Sequence, residues 1–178
     1  MVDEKKILRQ EVRSRLAALS HEEIEERSRI IAEAVMGHIA VSGAKVVALF
    51  SPLPGEPVLW PLVERLSRMM LVVLPRVCGD EMDFYCYDRN CMAQGSFGIM
   101  EPQCGEPVAP GEIGVVIVPG VAFTEGGCRM GRGKGFYDRY LSHDDFCGLK
   151  IGVCFREQIF DELPVEPHDV RMDVVIKA

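Results

Sequence analysis

The chain has 178 residues, 48% hydrophobic and 26% charged, which is the usage of one ordinary globular domain. Its formal net charge of −7 excludes a general nucleic-acid binder, whose phosphate affinity needs a basic face. No apolar run approaches the ~20 residues that span a bilayer, and Met1–Lys6 has no apolar stretch behind it, so neither a membrane segment nor a signal peptide is expected.

From Asp3 to Leu19 the spacing predicts a helix, because Ile7, Leu8, Val12, Leu16 and Leu19 recur at three- and four-residue steps. Ser20 followed by Glu23 is a capping box that starts a second helix. Its apolar positions include Ile24, Ile30, Ile31, Ala34 and Val35, with Gly37 and Gly43 bracketing its end. Lys45–Phe50 is almost wholly apolar, as a strand covered on both faces would be. Val58–Met69 returns to helical spacing. Met70–Leu74, Met82–Tyr87 and Val115–Val118 are further strand candidates, the last ended by Pro119-Gly120. Pro102–Gly114 is rich in Pro and Gly and reads as a surface loop. Phe136–Leu141 looks helical, and Lys150–Phe155 and Val174–Ile176 are the last strands. Strands alternating with helices predict one α/β domain, residues 1–178, in three layers with a mainly parallel sheet flanked by helices.

Seven cysteines (Cys78, Cys86, Cys91, Cys104, Cys128, Cys147, Cys154) make an odd count, and none are spaced C-x-x-C. They offer neither zinc-ligand spacing nor a disulfide framework, so reduced thiols in a cytoplasmic protein are expected. Cys128 sits beside Arg129 and the glycine loop, and an incidental cysteine is a simpler reading than a reactive one. His21, His38 and His143 have no partners that suggest metal or base roles, and Trp60 and Met69-Met70 fit core packing.

The strongest local signal is Gly131-Arg132-Gly133-Lys134-Gly135 followed by Phe136-Tyr137-Asp138. Alternating glycines let main-chain N–H groups approach a phosphate, and the predicted helix that follows would offer it an N-terminus. Arg132 and Lys134 add cations, and Asp138 adds an oxygen ligand of the kind Mg2+ prefers. A Walker loop would need Ser or Thr after Lys134, where Gly135 stands, and a dinucleotide fingerprint would follow the first strand. The five-residue pattern alone fits a basic turn equally well.

The longer string GRGKGFYDRYL, residues 131–141, resembles the signature of the 5-formyltetrahydrofolate cyclo-ligase family, also called methenyltetrahydrofolate synthetases. Phe136 stands where that family usually has Tyr, which keeps an aromatic face and loses a hydroxyl. Lys5–Arg9, Phe50–Glu56, Val118–Phe123 and Pro164–Asp173 resemble further segments of the family in order, so nearly the whole chain is covered. The resemblance implies a NagB/RpiA/CoA transferase-like domain. It implies ATP-dependent conversion of 5-formyltetrahydrofolate to 5,10-methenyltetrahydrofolate through a phosphorylated formyl group, with ADP and phosphate released. It also implies an ATP site of Lys5, Arg9, Arg129, Met130, Gly131, Arg132, Gly133, Lys134, Gly135, Phe136 and Tyr137. The implied substrate site takes in Ser51, Glu56, Arg132, Gly133, Lys134, Gly135 and Phe136, with Arg132 and Lys134 catalytic and Asp138 and Asp169 holding Mg2+. The partners expected are ATP and a folate, polyglutamylated forms included, with the chain taken as a monomer and no nucleic acid or membrane.

Two other readings stand beside this one. A different enzyme on a related scaffold, such as a phosphosugar isomerase or CoA transferase, would not need Glu56 or the Asp138/Asp169 pair. A non-catalytic nucleotide-binding module is favoured only by Phe136.

Overall fold

The computed structural model describes residues 4–95 and 97–178. Two helices open the chain, α1 (Glu4–Leu16) and α2 (His21–Ser42). The capping box forms as the sequence predicts. Ser20 Oγ accepts from the Glu23 N–H at 3.2 Å, and the Glu23 carboxylate accepts from the Ser20 N–H at 2.8 Å. Asp3, the expected first residue of α1, lies outside the described residues, and α1 stops three residues before Leu19. Gly43 ends α2 in the left-handed region at φ 68°. The helix end at Ser42 lies between Gly37 and Gly43, as the sequence predicts. The apolar face of Ile31, Val35 and Ile39 runs past Gly37, and its burial outweighs the ~1 kcal/mol propensity cost of an exposed helical glycine.

Six strands form the main sheet: β1 (Val46–Ala48), β2 (Leu71–Cys78), β3 (Glu81–Cys86), β6 (Val115–Val118), β9 (Leu149–Cys154) and β10 (Val174–Lys177), in the order β10-β9-β6-β1-β2-β3. Neighbours are parallel except β3, which returns antiparallel to β2 through Gly79 at φ 62°. The two-residue alternation sorts the apolar runs onto both faces. Val47, Leu49, Val72, Leu74, Val115 and Ile117 pack under α2 and α3 (Trp60–Leu66). Val46, Ala48, Val73, Val116 and Val118 pack on the opposite face against Phe84, Phe123 and Tyr140. The third layer there is built from a short helix, α4 (Phe136–Leu141), and from loops.

Two hairpins escape the sequence reading. One, β4 (Met92–Gln94) with β5 (Met100–Pro102), stands beside β2. The other, β7 (Ala122–Phe123) with β8 (Arg129–Met130), leads straight into the glycine loop. Strands of two and three residues carry too little alternation to be read. The first hairpin also corrects the expectation of reduced thiols throughout: Cys91 and Cys104 flank it, 6.0 Å apart at Cα, and are joined as a disulfide. Antiparallel pairing brings together two cysteines 13 residues apart, which local spacing does not reveal. The other five are free.

The capping box is exposed and remote from the residues discussed below. Ser20→Ala is expected to cost about 1 kcal/mol and to lower Tm by about 2–4 °C for a chain of this size. Urea unfolding and a thermal melt check this.

Candidate active site

At the carboxyl ends of β1 and β6, the chain leaves the sheet at Leu49 and Pro119, and a cavity of about 580 Å3 opens there. Open α/β sheets bind ligands at this end. Six cations line it (Lys5, Arg9, Arg129, Arg132, Lys134, Arg139) beside five carboxylates (Glu56, Glu101, Asp138, Glu166, Asp169). The acidic chain has therefore gathered six of its 20 basic residues at one place.

The glycine loop is shaped by guanidinium groups. A Cβ on Gly131 would lie 3.0 Å from Arg129 Nη1, one on Gly133 3.3 Å from Arg9 Nη2, and one on Gly135 2.8 Å from Arg139 Nη1. Gly133 and Gly135 also sit at φ 97° and 69°, where side chains are strained. Arg9 donates to the Gly131 carbonyl at 3.2 Å, and Arg139 donates to the Lys134 carbonyl at 2.9 Å and the Asp80 carbonyl at 2.7 Å. Lys134 itself is exposed on the cavity rim, in no ion pair among the described residues.

The other cations are paired. Arg129 is buried beneath the loop, donating to Asp138 Oδ2 at 2.8 Å and to the Pro119 carbonyl at 3.3 Å. Arg132 meets the buried Glu56 carboxylate at 3.0 Å, and Glu56 also accepts from the Leu53 N–H at 2.9 Å. Burial still pushes the Glu56 carboxyl above its ordinary range, against the pull of Arg132 and the Leu53 N–H. Lys5 lies 3.1 Å from Glu166 and 3.3 Å from Asp169. Burial disfavours its charged form, but the hydrogen bonds to the two acids outweigh that and raise its pKa.

Among the remaining expected residues, Met130 lines the cavity while its side chain packs with Val12 and Ala122. Ser51 is buried and its hydroxyl donates to the Met100 carbonyl, so it ties the β4–β5 hairpin to the loop after β1. Tyr137 lines the cavity too. Its buried hydroxyl has no partner among the described residues, and burial together with the Glu56 charge raises its pKa. Phe136 forms the rim, edge-to-face with Phe97 at 6.0 Å.

Phe97, Ile99, Glu101 and Glu166 line the cavity without having been anticipated from sequence. The first three ride on the β4–β5 hairpin, whose strands carry no readable pattern. Glu166 was visible only as one acid in a segment already singled out for Asp169.

The carboxylate donors suit a hard cation. Asp138 accepts from Arg129 on one oxygen and from the Val170 N–H, at 3.1 Å, on the other, and each oxygen keeps a further lone pair. Asp169 accepts from Lys5 and from the Glu166 N–H at 2.8 Å. Asp169, Glu166 and His168 converge within 4.8 Å among the described residues, and Asp138, the other donor expected from sequence, is not part of that group.

The sequence matches the 5-formyltetrahydrofolate cyclo-ligase family over residues 1–178. The 5-formyltetrahydrofolate cyclo-ligase of Mus musculus is 28% identical over 97% of this chain and 92% of its own. That of Mycolicibacterium smegmatis is 34% identical over 82% of this chain and 80% of its own. Among solved structures, the 5,10-methenyltetrahydrofolate synthetase of Aquifex aeolicus superposes with a TM-score of 0.87 at 37% identity, covering 97% of this chain and 89% of that one. The Mycoplasma pneumoniae synthetase gives 0.79 at 27% identity, covering 98% of each.

Asp138→Asn would leave the Arg129 guanidinium, whose side chain is 3% exposed, without its counter-charge. Breaking a buried pair this way costs about 3–5 kcal/mol. The substitution is expected to lower stability by that order in urea unfolding, while Asp138→Asn combined with Arg129→Met recovers part of the loss.

Proposed function

The chain belongs to the 5-formyltetrahydrofolate cyclo-ligase family and is an ATP-dependent ligase that makes 5,10-methenyltetrahydrofolate, and from that premise we propose how its residues divide the work. The formyl oxygen attacks the γ-phosphorus of ATP and ADP leaves. The ring-system nitrogen next to the resulting iminium phosphate then closes on its carbon, loses its proton, and phosphate departs. An amide oxygen is a poor leaving group and a phosphate a good one. Phosphoryl transfer needs positioning and charge neutralisation rather than a protein nucleophile.

Lys134 is the catalytic cation. The observation that carries this assignment is its freedom: it stands on the cavity rim without an acid partner among the described residues, while Lys5, Arg129 and Arg132 are held by carboxylates and Arg9 and Arg139 by main-chain carbonyls. Arg132 joins it once a phosphoryl group competes with Glu56 for its guanidinium. Lys5 and Arg9, one helical turn apart on α1, hold ATP phosphates that do not transfer. Gly131, Gly133 and Gly135 present main-chain N–H groups to the nucleotide, alongside Arg129, Met130, Phe136 and Tyr137. Glu56 accepts hydrogen bonds from the pterin, with Ser51 lining that site. Asp138 and Asp169 are the Mg2+ donors, and a bound Mg2+ would neutralise charge on the nucleotide phosphates. We place the enzyme in the cytoplasm; no helix among the described residues is long and apolar enough to cross a membrane.

The methenyl product is a conjugated cation that the substrate is not, so its absorbance reports turnover. Wild-type protein is expected to form it only with ATP, and product formation independent of ATP overturns the reaction. Lys134→Ala is expected to lower kcat about a hundredfold or more. Lys5→Ala should chiefly raise the KM for ATP, since its contact serves ground and transition states alike. A Lys134→Ala enzyme with wild-type kcat and a raised KM for ATP would make the loop a nucleotide cradle only.

Asp169→Asn is expected to raise the Mg2+ concentration needed for half-maximal rate, because a neutral amide replaces a charged ligand. An unchanged Mg2+ titration removes Asp169 from the metal site.

A further inference from the structure

Glu101 is the second buried carboxylate of the cavity and has no part in the scheme above. It belongs to β5, where strand alternation turns its neighbour Met100 outward, 41% exposed, and Glu101 inward, 2% exposed. Its main chain is fixed: the Gln103 side chain donates to its carbonyl at 3.1 Å, and Ser51 holds the preceding carbonyl. The carboxylate lies directly over Gly95, where any Cβ would collide with it.

Glu56, the other buried acid, has an arginine at 3.0 Å. Glu101 has no cation within ion-pair distance among the described residues. The nearby Arg76 spends its guanidinium on the Tyr85 ring, 3.7 Å away, and on the Pro102 carbonyl at 3.4 Å. Burial accordingly pushes the Glu101 carboxyl upward, with only the Val77 N–H and the more distant Arg76 charge opposing it. A carboxylate withdrawn from water without a paired cation costs stability. Such a cost persists where the group serves a ligand.

Resting on the cyclo-ligase reading, we propose that Glu101 is a substrate-binding residue that accepts hydrogen bonds from the N–H edge of the formylated pterin. The amino group and adjacent ring N–H of that heterocycle are parallel donors that match two carboxylate oxygens. Glu101 reaches the cavity from β5 and Glu56 from the loop after β1, so the two acids address different edges of the ligand.

The test is Glu101→Gln, which conserves shape and removes the charge. The expected result is a KM for 5-formyltetrahydrofolate raised roughly tenfold or more, the loss of a charge-assisted hydrogen bond, with the KM for ATP within about twofold of wild type. Tm should stay unchanged or rise, since an uncompensated buried charge has been removed. An unchanged KM for the folate overturns the proposal. So does a parallel rise in both KM values, or a fall in Tm, because either marks a structural carboxylate. The thermal shift produced by 5-formyltetrahydrofolate alone gives a second readout, separate from turnover. Should wild-type protein bind the folate yet fail to convert it, the reaction reading falls, while a smaller shift for Glu101→Gln still supports this site and an equal shift overturns it.

Discussion

The buried ion pair of Arg129 and Asp138 is the constraint on which the site depends. Arg129 leaves β8 and passes beneath Gly131, so the first glycine of the loop exists to make room for it. Asp138 answers from α4, and its second oxygen takes the Val170 N–H of the C-terminal segment. One pair thus fixes the start of the glycine loop, the helix after it and the segment carrying Asp169. An arginine suits this position because its planar fork serves Asp138 and the Pro119 carbonyl together while staying charged. Lysine would reach one of them.

Around this fixed pair two further cations meet carboxylates, while Arg9 and Arg139 donate to main-chain carbonyls and Lys134 is in no ion pair among the described residues. Arg132 lies half exposed against Glu56, and Lys5 lies between Glu166 and Asp169. In each pair at least one partner is largely withdrawn from water, so parting the two leaves a poorly solvated charge that must be paired again. On the reading proposed above, nucleotide phosphates take over the cations while pterin donors and Mg2+ take over the carboxylates left behind, so no buried charge stays unpaired. Five carboxylates in the same lining keep the six cations from forming a bare cluster of like charges.

Sequence periodicity revealed most of the frame and the phosphate side of the cavity, for physical reasons. Long buried strands such as Val115–Val118 and a capped helix at Ser20 carry strong local signals, and alternating glycines mark a loop whatever surrounds it. Legibility ended where contact order rose. Nothing local announces that Arg132 will meet Glu56, 76 residues away, or that Lys5 will meet Asp169, 164 residues away. The short β4 and β5 strands left no alternation to read, and so Phe97, Glu101 and the Cys91–Cys104 bridge stayed hidden together.

The two walls of the cavity have different physical origins, and this bears on what each can do. The phosphate wall grows from strand ends of the parallel sheet and from a loop locked by three guanidinium groups, so its geometry is stiff, as transfer chemistry requires. The opposite wall is a hairpin outside the main sheet, held by one disulfide, the Ser51 hydrogen bond and contacts with β2. It contributes an aromatic edge and an acid, which are groups that recognise a flat nitrogen heterocycle rather than a phosphate. The walls meet where Phe97 touches Phe136, and on the reading proposed above a change in the hairpin away from that contact alters which ring is accepted while leaving the cations where they are. On that reading, recognition of the folate and activation of its formyl oxygen are separable properties of this fold.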